Sequence, residues 1–255
     1  MTAKSGKALA GLAVLNTRPR GQSAALSALL RAAGAEVLEL PLLKIVASDA
    51  AQTAPALAEA KRADFIIFTS ANAAALGAVT LPRPANTRIY ALGPATAAAL
   101  AERGLGDCLA LDGGGSEELL EAPGLQALQG QHGLIFTGEG GRELLATALT
   151  ARGAELTVAR VYRREAEAHA PAAVDTALAA AQVLVITSGE GLTVLLALTP
   201  PETRADLLAK PLLLPSARVA DAAMAAGFCG PLLLPAAMSD AALLARLLAW
   251  RREGA

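Results

Sequence analysis

The chain has 255 residues, of which 54% are hydrophobic and 3% aromatic, and its formal net charge is −1. This length suits one large domain or two small ones, with cores built from Ala, Leu and Val. The charge balance offers no basic footprint for nucleic acid, and no stretch reaches the roughly 18 apolar residues of a membrane span. His132, His169, Cys108 and Cys229 lack metal-ligand spacing, so we expect no metal site, and two free cysteines suit a reducing compartment.

The first apolar run, residues 8–15, follows Lys4 and Lys7 and faintly resembles a signal peptide. Because Asn-Thr-Arg-Pro follows at 16–19 without a convincing cleavage site, we interpret the run as a short tail leading into a buried strand. Beyond it, short apolar runs alternate with Ala- and Leu-rich segments of helical period, the pattern of a parallel sheet covered on both faces. The pattern predicts strands at 12–17, 36–40, 64–69, 88–92, 108–111, 133–137, 155–162, 182–187, 211–214 and 231–234.

Helices are predicted between these strands, and many of them have recognisable ends. Their predicted starts lie near Gly21, Gln52, Ala71, Pro94, Ser116, Gly141, Ala172, Gly189, Ser216 and Ser239. Ser116 is followed by two glutamates, which favours a helix start. Gly34, Gly104, Gly153 and Gly227 follow predicted helices, where a left-handed glycine is expected to end each one.

Three segments occur twice along the chain in the same order. Phe-Thr-Ser at 68–70 returns as Ile-Thr-Ser at 186–188, and Gly-Ala-Glu at 34–36 returns at 153–155. The helix ending near Gly104 returns as one ending near Gly227. The repeats predict a duplicated α/β unit and therefore two similar lobes.

Two stretches that follow the Gly-Ala-Glu repeats, 38–44 and 159–165, are interpreted as crossings between the lobes. The predicted fold class is therefore α/β, with two similar lobes, each a parallel sheet flanked by helices, joined by a two-stranded linker. The first lobe is discontinuous, so each lobe takes its leading βα unit from the opposite half of the sequence. The predicted boundaries are 1–38 plus 167–255 for the first lobe, 45–159 for the second, and 39–44 and 160–166 for the linker strands.

Small polar residues follow four predicted strands, at 17–19, 69–72, 93–96 and 187–190, each just before a helix. The carboxyl ends of parallel strands face the crevice where α/β proteins bind ligands. Hydroxyls and free backbone N–H groups at such ends bind anions. The alternative is that Ser70, Thr96 and Ser188 only cap helices, but four such ends together favour a ligand site.

A glycine-rich loop at 138–143 and the nearby Tyr162 are further candidates. The loop is neither a P-loop nor a dinucleotide fingerprint, so it either cradles a carboxylate or forms a tight turn. Tyr162 lies in the second predicted crossing, where its phenol could donate a proton to a leaving oxygen or pack against the linker. No catalytic triad, metal cage or carboxylate pair is evident, so an enzyme of this kind needs an intrinsically reactive substrate.

Over almost its whole length the chain resembles uroporphyrinogen-III synthases. The matching segments are 15–19, 68–72, 91–97, 115–117, 140–145, 152–155, 161–164, 186–188, 218–220 and 227–228. The family often has Arg where this chain has Thr137. The resemblance implies two α/β lobes with the active site in the cleft between them.

The resemblance also implies a cofactor-free, metal-free reaction in tetrapyrrole (haem-type) biosynthesis. Linear hydroxymethylbilane loses its terminal hydroxyl, forms a spiro intermediate and closes with its last pyrrole ring inverted to give uroporphyrinogen III. By resemblance, Tyr162 assists departure of the hydroxyl. The substrate carries eight carboxylates, and the candidate binding residues are Thr17, Arg18, Ser70, Asn72, Thr96, Gly140, Arg142, Ser188 and Ser216. The family match favours Ser188 over Ser70.

The expected partner is this linear tetrapyrrole, and we expect the protein to bind neither nucleic acid nor membrane. We expect a cytoplasmic monomer that receives its substrate from hydroxymethylbilane synthase. One alternative is a catalytically inactive two-lobed protein that binds or senses anions or tetrapyrroles. A Rossmann-type nucleotide enzyme is a further alternative, which the imperfect glycine loops disfavour.

Overall fold

The computed structural model describes residues 7–81, 86–110, 115–141 and 143–254. The chain divides into two compact units, one made of Met1–Lys44 with Glu165–Ala255 and the other of Ile45–Arg164. The divisions fall at Lys44/Ile45 and Arg164/Glu165, and the predicted linker stretches 39–44 and 160–166 end at or span these positions. The exact limits of the linker stay a prediction.

Strands and helices alternate along the described chain. The strands are β1 (Ala13–Asn16), β2 (Glu36–Glu39), β3 (Leu43–Ala47), β4 (Phe65–Phe68), β5 (Arg88–Ala91), β6 (Leu109–Ala110), β7 (His132–Gly138), β8 (Glu155–Ala166), β9 (Val183–Val185), β10 (Leu212–Leu213) and β11 (Leu232–Leu233). The helices are α1 (Arg20–Ala32), α2 (Ala50–Glu59), α3 (Ala71–Gly77), α4 (Pro94–Ala101), α5 (Ser116–Leu120), α6 (Leu144–Ala151), α7 (Pro171–Ala180), α8 (Gly189–Leu198), α9 (Pro201–Leu208), α10 (Ala217–Ala225) and α11 (Asp240–Glu253).

The two units contain sheets of the same strand order. The first sheet runs β11-β10-β9-β1-β2, and the second runs β3-β8-β7-β4-β5-β6. The first sheet, with β1 numbered as its first strand and β2 as its second, has the strand order 2-1-3-4-5. The second sheet has the same order when β7 and β8 are numbered first and second and the edge strand β3 is left out. This order is one of the doubly wound arrangements. The predicted α/β class with helix-flanked, mainly parallel sheets is confirmed. In each sheet the leading pair, β1 and β2 or β7 and β8, comes from the opposite half of the sequence from the other parallel strands.

The second sheet departs from a purely parallel one at its edge strand β3. The Ser48 N–H donates to the Val161 carbonyl at 3.0 Å, and the Glu167 N–H donates to the Leu42 carbonyl at 2.9 Å. Residue numbers rise on one side of this ladder while they fall on the other, so β3 and β8 run antiparallel. This direction follows because β3 carries the chain out of the first unit and β8 carries it back.

The strands at the centre of each sheet are buried on both faces. All residues of β1, β4 and β9 are buried, and all of them except Asn16 of β1 are apolar, as expected for strands covered on both faces. In the second unit, Phe68 of β4 and Phe136 of β7 are register partners, and their rings stack at 4.8 Å. Each sheet therefore has a hydrophobic core on both of its faces.

Some elements differ from the predictions for identifiable reasons. Strand β3 begins at Leu43, because Pro41 lacks a backbone donor and disfavours continuous pairing after β2. Helix α9 was not predicted; it begins at Pro201, where the fixed φ of proline and its missing N–H suit the first position of a helix. The helix predicted near Gly141 begins only at Leu144.

The four glycines predicted to end helices all have left-handed backbones. Their φ angles are 100° for Gly34, 75° for Gly104, 93° for Gly153 and 96° for Gly227. This prediction is confirmed, because only glycine adopts such angles without strain.

A buried polar network joins β1, α1 and β2 in the first unit. The wholly buried Asn16 donates from Nδ2 to the Ser27 hydroxyl at 3.0 Å and to the Ser23 carbonyl at 3.2 Å. A hydrogen bond from Ser27 is the main cause that lowers the pKa of the Glu39 carboxyl, and Arg31 lowers it further. The network thus links a buried amide to a charged group at the edge of the sheet.

Replacing Ser27 with Ala should raise the Glu39 pKa and lower the free energy of unfolding by about 1–2 kcal/mol at neutral pH. A lowered folded-state pKa stabilises the protein above the unfolded value of about 4.3, and this contribution is lost as pH falls through the folded-state pKa. The Glu39 side chain is 38% exposed, so most of the loss should come from the buried Asn16 amide. Urea unfolding between pH 3 and pH 7 measures both parts. In a Glu39→Gln background the pH-dependent part of the Ser27→Ala effect should disappear, and its persistence would contradict this assignment.

Candidate active site

A cavity of about 280 Å³ lies in the second unit at the carboxyl ends of β4 and β7. These adjacent strands form the point where the chain order of the sheet reverses, the usual ligand position in doubly wound folds. Its polar lining consists of Thr69, Ser70, Ser116, Thr137, Tyr162 and Arg164. Among the described lining residues, Arg164 is the only charged side chain and Tyr162 is the only phenol.

The phenol of Tyr162 is held from two sides. Its side chain is only 2% exposed, and its Oη lies 3.1 Å from the Ser70 Oγ. The Arg164 guanidinium donates to the same Oη at 3.2 Å and lies 5.5 Å from the ring centroid. Tyr162 therefore presents a fixed hydroxyl at the cavity wall, while most of its ring is packed in the core.

A β-bulge aims Tyr162 in this direction. Thr137 of β7 pairs with Arg160 of β8, but the next residue, Gly138, pairs with Tyr162, so Val161 is an extra residue. As a result Val161 and Tyr162 both join the same buried cluster, although alternation along a regular strand would place them on opposite faces. The bulge thus decides which way the phenol points.

Gly138 completes the placement of the phenol because it has no side chain. A Cβ at this position would lie 2.5 Å from Cζ of Tyr162 and 2.9 Å from its Oη. Any other residue would therefore force the ring to move. The ring and the β7 backbone fit together only with glycine here.

Ser70 both caps a helix and contacts the phenol. Its Oγ accepts from the Ala73 N–H at 3.1 Å at the start of α3. Ser70 can therefore act as a helix cap and as a site residue at the same time. A serine that accepts from the backbone through one lone pair can still donate or accept at the phenol.

Thr96, Asn72 and Gly140, which are also predicted binding residues of the second unit, are not among the residues that line this cavity. Thr96 of α4 is 2% exposed and donates to the Leu92 carbonyl, which precedes the helix, at 2.8 Å. Asn72 is half-buried in the first turn of α3. Gly140 is exposed with φ of 70°, and the next residue, Gly141, lines the cavity. Arg142 lies outside the described residues.

The predicted binding residues of the first unit follow the carboxyl ends of β1, β9 and β10, which are adjacent parallel strands of its sheet. Thr17 is buried and donates to the Val185 carbonyl at 2.6 Å, while Arg18 pairs with Asp240 at the start of α11. Ser188 caps α8 by accepting from the Gly191 N–H at 3.0 Å. Ser216 is exposed at the start of α10 and makes no side-chain cap hydrogen bond. Substrate binding by all of these residues stays a prediction.

Sequence reasoning missed two arginines of β8. Arg164 contacts Tyr162, and the two-residue spacing along a strand is the signal that could have placed them on one face. Arg160 lines a second cavity of about 160 Å³, together with Glu143. Thr69 and Thr137 line both cavities, and their hydroxyls lie 2.9 Å apart.

Arg160 lies in this second cavity as an exposed side chain without a hydrogen bond or ion pair to the residues that the structure describes. It is the register partner of Thr137, whose side chain lines the same cavity.

Membrane and metal features are not found in the described ranges. No helix there is long and apolar enough to cross a membrane. No group of three or more His, Cys, Asp or Glu residues there could hold a metal ion. Cys108 and Cys229 are both free thiols.

Comparison with known proteins identifies the family. The family model described as uroporphyrinogen-III synthase HemD matches residues 24–243. The uroporphyrinogen-III synthases of Salmonella typhimurium and Escherichia coli K12 are 38% and 34% identical over 198 residues, each covering 74% of this chain and 80% of the relative. A crystal structure of a mutant uroporphyrinogen III synthase from Thermus thermophilus is 19% identical, with a TM-score of 0.62 over 96% of this chain and 100% of that one, and so shows the fold alone. The extent of the family match and the identity to both relatives show that the chain belongs to the uroporphyrinogen-III synthase family.

Proposed function

We propose that this chain cyclises hydroxymethylbilane to uroporphyrinogen III, with inversion of the terminal ring and loss of water, and that Tyr162 is the proton donor. The observation that carries the proposal is the buried Tyr162 phenol, held by Ser70 and Arg164 at the wall of the cavity between β4 and β7. Family membership supports the synthase over the catalytically inactive binding protein.

The chemistry needs few catalytic groups. The phenol proton passes to the terminal hydroxyl of the substrate, the carbon–oxygen bond breaks, and water leaves while electrons from the adjacent pyrrole fill the vacated position. The protein then orients the chain so that the correct ring carbon attacks, and such orientation is worth several kcal/mol. The cavity fits this task, because its lining is mostly hydroxyls, glycines and apolar groups around one phenol.

The eight carboxylates of the substrate require several anion contacts. We place Arg160 among them because its guanidinium lies in the adjoining cavity without a partner among the described residues. Glu143 lines the same cavity and opposes a carboxylate there, so the net contribution of Arg160 is modest. Thr17, Arg18, Ser188 and Ser216 are proposed contacts from the first unit.

Replacing Arg160 with Gln should raise KM about three- to tenfold and leave kcat nearly unchanged, since an exposed charge contact stabilises ground state and transition state alike. Steady-state kinetics at low and moderate salt measure this effect, which should shrink as salt screens the charge. Arg62→Gln is the matched control, because this exposed arginine pairs with Glu59 near the amino ends of the strands. Equal KM values for the Arg160 variant and the control would remove Arg160 from the substrate contacts.

We also place the protein in the cytoplasm as a monomer that receives substrate from hydroxymethylbilane synthase. The two free thiols support a reducing compartment. Sedimentation velocity tests the monomer, and transient kinetics with both enzymes mixed tests the delivery of substrate.

The decisive assay supplies hydroxymethylbilane and resolves the isomers of the oxidised products. The proposed function predicts the asymmetric type III isomer at a rate proportional to protein concentration. Formation of only the symmetric type I isomer, at the uncatalysed rate, would overturn it. Binding of the substrate without turnover would instead identify the inactive binding protein.

A further inference from the structure

Arg164 is placed to control the phenol rather than the substrate. We propose that Arg164 is a positioning residue, which acts through Tyr162 by orienting its hydroxyl proton and stabilising the phenolate that proton transfer leaves. This inference rests on the proposed role of Tyr162 as proton donor. It is carried by two contacts of one guanidinium, the 3.2 Å hydrogen bond to Oη and the 5.5 Å approach to the ring centroid.

The partners of the Tyr162 hydroxyl determine which hydrogen bonds it accepts and which it can donate. A guanidinium can only donate, so Oη of Tyr162 must accept from Arg164. The Oη proton then remains available, either to Ser70 at 3.1 Å or to a substrate oxygen in the cavity. When the phenol donates to the substrate, the Ser70 Oγ still accepts from the Ala73 N–H. The Ser70 hydroxyl can then donate its own proton to the phenol oxygen, so no buried donor is left unpaired.

The charge of Arg164 acts in the same sense. When Tyr162 gives up its proton, the oxygen that becomes negative is the one that Arg164 already contacts. The bond to the neutral phenol is already charge-assisted through the guanidinium, and it becomes an ion pair when the phenolate forms, so Coulomb attraction strengthens it as the proton leaves. Among the described residues lining this cavity, no other group is charged, and the remaining neighbours are hydroxyls, glycines and leucines.

The inference is tested with Arg164→Gln and Arg164→Lys, measured for kcat, KM and phenol ionisation. The chain has two tyrosines, so the ultraviolet absorbance of the protein minus that of Tyr162→Phe isolates the Tyr162 phenol. Arg164→Gln should lower kcat about tenfold or more with little change in KM, the scale of one hydrogen bond to a charged group. It should also move the phenol titration to higher pH, and Arg164→Lys should restore part of both.

A double variant separates this role from a merely structural one. If Arg164 acts through the phenol, Arg164→Gln should have no further effect on kcat in the Tyr162→Phe background. Arg163→Gln, which makes the same charge change one residue away, is the control and should leave the titration in place. The inference is overturned if Arg164→Gln keeps full kcat and an unmoved titration, or if its effect persists without the Tyr162 hydroxyl. Full activity of Tyr162→Phe alone would instead overturn the proposed role of Tyr162, so the two failures are distinguishable.

Discussion

Replacing Tyr162 with Phe should lower kcat about 10²- to 10³-fold, the usual contribution of a positioned general acid. The substitution removes one oxygen and keeps the ring, which is 2% exposed and packed in the core of the second unit. The cavity therefore keeps its shape, and KM should change by less than about threefold. Single-turnover measurements with hydroxymethylbilane report the chemical step directly.

Two further measurements make this result specific. Tyr90→Phe removes the other phenol of the chain, which is also buried in the second unit but packs in a different cluster, and its kcat should be unchanged. The product that Tyr162→Phe still forms enzymatically should remain the type III isomer, since orientation of the substrate does not depend on the lost oxygen. Unchanged turnover would remove Tyr162 as the proton donor.

Replacing Gly138 with Ala should damage both stability and activity. The new Cβ would lie 2.5 Å from Cζ of Tyr162, a distance that real side chains do not tolerate, so the ring must shift. Overpacking of this kind costs about 1–3 kcal/mol of unfolding free energy. A displacement of about 1 Å at the reacting group can cost on the order of 10²-fold in rate, so we expect kcat to fall by that amount.

A matched glycine shows whether the effect comes from this contact. Gly106 belongs to the same unit, and a Cβ there would meet only Ala101, at the ordinary contact distance of 3.6 Å from its Cβ, so Gly106→Ala should change stability by less than about 1 kcal/mol. Urea unfolding measures the stability of both variants, and kcat is taken where both are fully folded. If folded Gly138→Ala had the kcat of the unsubstituted protein, the bulge and its glycine would not be what places the phenol.

The bulge also explains why the division of the β8 side chains between the two cavities could not be predicted. Alternation along a strand is a local property, and it would place Arg160, Tyr162 and Arg164 on one face. The extra residue at Val161 breaks that rule, and its position depends on the pairing of β8 with β7. Arg160 consequently lines the second cavity, while Tyr162 and Arg164 line the first.

The repeated serines, Ser70 and Ser188, separate what the sequence predicts from what the tertiary structure adds. By itself, the sequence determined that Ser70 and Ser188 each follow a buried strand and start a helix. Both cap their helices through the N–H three residues ahead, at 3.1 Å and 3.0 Å. The four left-handed glycines were likewise predictable, because the left-handed conformation that ends a helix strains any residue with a Cβ, wherever that helix lies in the fold.

Only the tertiary structure decided that Ser70 meets a phenol, because Tyr162 comes from a strand 92 residues away. The cavity, the bulge and the pairing of Arg164 with Tyr162 also require neighbouring strands to be in register. Local periodicity therefore specified the helices, strands and caps of this chain apart from α9 and β3, whereas contacts between distant segments selected which of its polar residues form the candidate active site.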